Sequence, residues 1–573
     1  MTTTFDFVIV GGGTAGLVLA ARLAEDATQT ICVLERGKDF TDNEDIRVPG
    51  NYMTNFGKEW DGGLLSTPQK GVADRVIYNP RGKGLGGSSL LNWLQLIRAP
   101  PAEYDAIEAV LGARGWNSQE FLKYFKKSQT LCRGELAGKT GLNPDPTLFG
   151  DGPILNTLPR FTPAINEYYY EACAALGIPF NPVGGNGDNS GVWPALAAIH
   201  PETGERVSSA TAYLAPNRHK KNLTIFTEAQ ANRVIFDDAV KPVVAKGVEY
   251  TGPDSEISTV YAKKEVILCA GAIHTPQLLE LSGIGDKRFI TGISQLVDLP
   301  GVGFNFQEHL TTLSLFETDA SIDSYDIMYN PNADPVVIAG HKKEYSELKS
   351  GIFSTVPLAY SYMPLSTFAS PEKIQKIKQM AAAASTATTS IQSPKTLELL
   401  QKWMEDDSTY QMEYSVSFPK LDAFTDRPRW PGSSWFPHYV PILPTAEFDG
   451  AKKYFFVSAI LQHPFSRGSV HTDPTNPHGN PILDMGEFEN DIDREIMIEA
   501  LKFVQTLAAQ PSMRDRAGVR PLAPSADAKT DEQMNEYLSL AAYSSYHPLG
   551  TAAMLPREEH GVVDPDLFGL RHG

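Results

Sequence analysis

Residues 5–37 read FDFVIVGGGTAGLVLAARLAEDATQTICVLERG, and no other stretch of the chain narrows the fold so far. Phe7 to Val10 form an apolar run of strand length. Gly11-Gly12-Gly13-Thr14-Ala15-Gly16 fits the spacing G-x-G-x-x-G, and Leu17, Ala20, Ala21 and Ala24 follow at helical intervals. Ile31 to Leu34 supply a second strand with Glu35 at its end. In a βαβ unit of this kind the first glycine permits the tight turn out of the strand. The second lets a pyrophosphate approach the backbone, and the third lets the helix pack close to the sheet. The helix N-terminus offers unpaired N–H groups and the positive end of its dipole to phosphate. Glu35 lies 19 residues beyond Gly16 and is placed to accept from ribose hydroxyls. Gly11, Gly13, Gly16 and Glu35, with Thr14, Ala15 and Arg36 beside them, are therefore the expected dinucleotide contacts.

The rest of the composition bounds the function. A chain of 573 residues exceeds one small core, so two to four domains are expected. With 42% hydrophobic and 21% charged residues it has the make-up of an ordinary globular protein. Its net charge of −18 supplies no basic footprint for nucleic acid or an anionic membrane surface. Four cysteines lie far apart without a C-x-x-C, which fits a reducing compartment. The first strand begins at residue 5 with no basic and apolar leader before it. A cytoplasmic location and no membrane partner are therefore expected. No G-x-S-x-G, H-E-x-x-H or paired Cys/His spacing occurs, so neither a serine hydrolase nor a metal site is expected.

Further motifs follow along the chain. Residues 81–92 read RGKGLGGSSLLN, in which Gly86-Gly87-Ser88-Ser89 joins two glycines to two small hydroxyls. Such a loop either cradles a phosphate or flavin edge with its N–H groups or simply turns between elements. Residues 206–300 alternate between strand-like runs and the helix-like GAIHTPQLLELSGIG at 271–285. LPGVGFNFQEHL at 299–310 and YHPLGT at 546–551 complete the set. Residues 489–510 carry an amphipathic helical pattern, and 380–394 read as a surface helix or a mobile segment. Tyr168, Tyr169, Tyr170, Trp435, Phe436 and Tyr439 either line a pocket or belong to the core, with core the default.

Taken together, the four motifs resemble those of the glucose–methanol–choline oxidoreductases over nearly the whole chain. The resemblance implies a Rossmann-like FAD-binding domain with an inserted antiparallel-sheet substrate domain, an α/β plus α+β fold. The FAD-binding parts are expected at 1–37, 75–100, 206–310 and 540–573. The substrate domain and connecting segments are expected at 101–205 and 311–539. It further implies flavin contacts from Gly86, Ser88 and Asn92, Trp93, Leu94 and Gln95. Ala231 stands where relatives hold the adenine through main-chain groups, and Trp60 where they carry an aromatic near the flavin. Relatives that attach flavin covalently use a histidine in the 81–92 loop. Leu91 occupies that place here, so FAD is expected to be non-covalent.

His547 heads the segment where the family places its catalytic histidine, and the base role suits an imidazole. The implied reaction is oxidation of a primary alcohol to an aldehyde by hydride transfer to flavin N5, within the biosynthesis of a small secondary metabolite. Oxygen or another acceptor would take the electrons. The same fold also carries cyanohydrin lyases. The family pattern breaks at Phe568, before the segment that brings a second catalytic His or Asn. A truncated, inactive remnant is therefore a further expectation.

Overall fold

The computed structural model describes residues 3–570, apart from 135–139, 238, 241, 320, 323–333, 355–358, 385–392 and 418–452. Trp435, Phe436 and Tyr439 lie outside the described residues, as does most of the 380–394 stretch.

Two six-stranded sheets organise the chain. The first contains β1 (Thr3–Val10), β2 (Ile31–Leu34), β3 (Leu223–Phe226), β4 (Gln230–Asp237), β5 (Val244–Thr251) and β6 (Ile257–Leu268), in the order β4-β5-β6-β1-β2-β3. β6, β1, β2 and β3 run parallel, while β4 and β5 add an antiparallel edge. Helix α1 (Thr14–Leu23) follows β1, and α2 (Gly271–Leu281) follows β6. Val10 pairs with both Leu34 and Leu268, so the chain leaves β1, β2 and β6 side by side at one end. A crevice outside the carboxyl ends of parallel strands is where this fold class binds ligands.

Two glycines in the first turn are required by geometry. Gly11 has φ +105°, and a Cβ there would lie 2.4 Å from the Cys269 carbonyl oxygen. A Cβ on Gly16 would lie 1.9 Å from the carbonyl oxygen of Gly11. Tight turn and close helix packing thus fall where the spacing predicts them.

The second sheet contains β7 (Leu310–Thr318), β8 (Ala359–Met363), β9 (Met412–Ser417), β10 (Lys453–Leu461), β11 (Arg520–Ala523) and β12 (Tyr543–Ser544). All its pairings are antiparallel, in the order β8-β9-β10-β7-β11, with β12 also on β7. Side chains alternate across a strand. Phe455, Val457, Ala459 and Leu461 therefore join one core with Ile496, Met497 and Val504 of α3 (Asp491–Ala508). Phe456, Ser458 and Ile460, between them, line a cavity on the opposite face. Tyr169 is fully buried in the same core, and Tyr168 and Tyr170 pack against it, in keeping with the core default. One expected boundary shifts: β12 falls within 540–573, yet its Ser544 and Tyr543 pair with Leu310 and Thr311 of the second sheet. No helix among the described residues is long and apolar enough to cross a membrane.

Glu487 is buried in this scaffold, and neither carboxylate oxygen has a hydrogen-bond partner among the described residues. Burial raises its pKa from 4.5 to about 7. The folded state therefore binds more protons than the unfolded state between those values, and stability falls as pH rises through that window. We expect Glu487→Leu to stabilise the protein at pH 8 by about 1–3 kcal/mol, the penalty of an unsatisfied buried polar group. Thermal unfolding at pH 8 and pH 5 checks this, with the gain shrinking at the lower pH.

Candidate active site

Two cavities meet at the ends of β1, β2 and β6. The first, of about 800 Å³, is bordered by Gly11, Gly13, Thr14, Ala15, Glu35, Arg36 and Ala231. The second, of about 760 Å³, is bordered by Asn92, Trp93, Leu94, Gln95 and His547. Thr14, Arg81 and Ser88 border both, so the two adjoin across these residues.

The shape of the first cavity suits a dinucleotide. Gly13 caps α1 with an ordinary extended backbone, φ −80° and ψ −163°, and no side chain caps the helix. A Cβ at Gly13 would meet only the Gly87 Cα, at 3.7 Å. Neither backbone nor protein packing demands glycine there. Glycine there leaves the space beside the helix N-terminus open to an occupant. The Glu35 carboxylate accepts from the Gly12 N–H at 2.9 Å and the Gly37 N–H at 2.8 Å. It braces the two turns while facing the cavity, with lone pairs to spare for a ribose. Its pKa is raised, chiefly by burial.

The Gly86–Ser89 loop closes on this turn. Gly86 donates to the Gly12 carbonyl at 2.9 Å, and a Cβ on Gly87, where φ is +51°, would lie 2.6 Å from the Gly13 Cα. Arg206, which had no expected role, is buried and donates from Nη1 to the carbonyls of Ser89 and Asn92, at 3.2 and 2.7 Å. Burial lowers its pKa to about 9.

Three expected cofactor contacts do not border either cavity. Trp60 is a core residue: its ring lies 5.5 Å from Phe40, and its Nε1 donates to the Asn55 Oδ1. Gly86 and Gly16 act through the backbone instead, Gly86 at φ +108° in the loop and Gly16 within the first turn of α1, against the Gly11 carbonyl.

At the far end, β7 and β12 bring two histidines together across 238 positions of sequence. Ser545 donates to the His309 carbonyl at 3.0 Å. Glu308 then accepts at one oxygen, Oε1, from the backbone N–H of His309 at 2.9 Å and of His547 at 2.8 Å. The two Nδ1 atoms stand 3.1 Å apart. Arg81 holds the carbonyl of Tyr546, a residue at φ +66°.

His547 is exposed on its cavity side, while the protein packed around the rest of the ring strips water from its charged form. That desolvation, with the Arg81 charge, lowers its pKa to about 4. His309 is pushed well below the ordinary value, first by burial and then by His547 and His463. Burial raises Glu308 to about 7 against the pull of Arg81. His309, Glu308 and Arg81 all lie within the quoted motifs. Their meeting with His547 depends on a long-range strand pairing that no local pattern encodes.

The wall facing these histidines comes from the second sheet. Tyr360, Tyr362 and Glu413 project from it, joined by Trp403 and Tyr410. Glu413 Oε2 accepts from the Tyr362 hydroxyl at 2.6 Å and from Gln462 Nε2 at 3.0 Å.

Comparison with known proteins agrees with this arrangement. Two models of the GMC oxidoreductase family match the chain, over residues 5–311 and 464–569. A dehydrogenase of Armillaria gallica is 32% identical, over 100% of this chain and 88% of its own. An FAD-dependent oxidoreductase from Chaetomium thermophilum superposes with a TM-score of 0.85 at 25% identity, over 99% of this chain and 93% of that one. A fungal aryl-alcohol oxidase superposes with a TM-score of 0.82 at 26% identity, over 99% and 93%. With the family matched across both halves and the paired cavities in place, the chain belongs to the GMC oxidoreductases, FAD-dependent enzymes acting on small molecules.

Proposed function

We propose that the protein is a dehydrogenase or oxidase that converts a primary alcohol to an aldehyde, with non-covalent FAD as cofactor. The observation that carries this reading is His547, an imidazole of lowered pKa, bordering a cavity that adjoins a dinucleotide cradle. Gly11, Gly13, Thr14, Ala15, Glu35, Arg36 and Ala231 hold the ADP half. Ser88, Asn92, Trp93, Leu94 and Gln95 border the flavin half. FAD, when bound, supplies the acceptor for the hydride of the alcohol carbon.

His547 takes the hydroxyl proton, and its low pKa keeps it ready to do so throughout the neutral range. Glu308 and Arg81 fix its backbone. Tyr360, Tyr362, Trp403 and Tyr410 give the cavity an aromatic wall, which favours aryl or allylic alcohols over sugars. The dehydrogenase and aryl-alcohol oxidase among the relatives support this reaction class.

Anaerobic mixing of the FAD-loaded protein with aryl, allylic and sugar alcohols tests the reading. Aryl or allylic alcohols bleach the flavin, whereas release of aldehyde and cyanide from a cyanohydrin without bleaching replaces the reading with a lyase. Because Leu91 stands where covalent relatives carry histidine, heat denaturation releases all the flavin as free FAD. Yellow colour retained on the precipitated chain counts against non-covalent binding.

A further inference from the structure

Two imidazole nitrogens 3.1 Å apart share one hydrogen. One Nδ1 carries the proton and the other offers a lone pair. The donor ring, while neutral, is left with a bare Nε2, and the acceptor ring carries its own proton on Nε2. Only the donor ring takes up a further proton without breaking the shared bond. Protonating both rings would set two N–H groups against each other. The rings meet edge to face, with planes at 88° and centroids 5.2 Å apart, so each Nε2 lies on the far side of its ring from the shared contact.

The groups around the pair decide its polarity. Arg81 bears on His547 and His463 on His309, Glu308 accepts from both backbones, and Glu103 Oε1 lies 3.3 Å from His463 Nε2. His547 is the more exposed member of the pair and His309 the more buried, so a proton taken up by the pair is better hydrated on His547, the ring that must then donate at Nδ1.

We propose that His309 is a positioning residue whose Nδ1 accepts a hydrogen bond from His547 Nδ1–H, so that His547 presents a bare Nε2 to the alcohol. The inference rests on the base role of His547 given above. In the step it serves, the alcohol O–H bond breaks, an N–H bond forms at His547 Nε2, and the oxygen keeps the electron pair. The positive charge that develops on His547 is shared with His309 through the existing hydrogen bond. Glu308 holds both backbones at one oxygen and so keeps the two rings in register.

The test uses FAD-loaded protein and two readouts. The first is ¹⁵N NMR of labelled imidazoles, with His547 assigned by its loss in His547→Gln. Wild type is expected to show His547 protonated at Nδ1 and bare at Nε2. Protonation at Nε2 overturns the proposal, and this reading needs no His309 variant to fold. The second is anaerobic flavin reduction. His309→Leu, which removes the acceptor, slows it about 10²-fold, the low end of what a general base contributes. It also moves the acid limb of the pH profile. His309→Asn, which restores an acceptor near Nδ1, recovers most of the rate. Wild-type rate and an unchanged acid limb in His309→Leu overturn the proposal. If His547→Ala itself reduces flavin normally, the base assignment fails. If only His547→Ala is slow, the positioning role alone fails.

Discussion

Replacing His547 by alanine slows anaerobic flavin reduction by alcohol about 10²–10⁴-fold, the range by which a positioned general base accelerates proton transfer. FAD stays bound, because His547 borders the second cavity and not the cradle at Gly11 to Ala15. The fold stays intact as well: what Glu308 accepts at this position is the backbone N–H, which alanine keeps. Stopped-flow reduction at several alcohol concentrations separates the effects. The limiting rate falls, while the concentration that gives half the rate changes little. In wild type the same rate has its acid limb near pH 4, since His547 is unprotonated above its lowered pKa and gains a proton below it. A limb near the ordinary histidine value of 6.5 would count against the desolvated site.

The second large effect concerns the cradle. Gly13→Val is expected to give a folded chain that has lost FAD, with affinity down about 100-fold or about 2.8 kcal/mol. Its backbone is extended, a conformation valine adopts freely, and the nearest protein atom to a Cβ is 3.7 Å away. The added bulk therefore falls in the cradle that would take the cofactor's phosphates. Gly16→Ala contrasts with it. Its Cβ falls 1.9 Å from the Gly11 carbonyl oxygen, so α1 must move off the sheet and the fold itself is destabilised. Flavin titration by fluorescence quenching together with thermal unfolding separates the two. Gly13→Val loses binding and keeps its unfolding transition, whereas Gly16→Ala loses both.

The cradle was legible in the sequence because it is local. Strand, turn, helix and second strand fit within residues 5–37, and each glycine answers to a short-range contact. The amphipathic pattern at 489–510 was legible for the same reason and yields α3. The reaction end was not. His547 was singled out by its motif, but its partner His309 is delivered only by the pairing of β7 with β12. Arg206 binds the Ser89–Asn92 loop from more than a hundred residues away, and nothing near it in sequence marks that use. Trp60 misleads because an aromatic near a glycine-rich loop serves a core as well as a flavin, and here Asn55 and Phe40 claim it. The cavity aromatics Tyr360 and Tyr362 alternate with Ser361 along β8. Both faces of that sheet are covered, one by α3 and its core and one by the cavity wall. Alternation alone does not tell which face meets a substrate.

The most direct test of the account is the visible spectrum of the FAD-loaded protein mixed anaerobically with a primary aryl alcohol. Loss of the oxidised-flavin absorbance, matched mole for mole by aldehyde and abolished in His547→Ala, is the predicted result. An oxidised spectrum that no alcohol changes, in protein with its FAD fully bound, would contradict it.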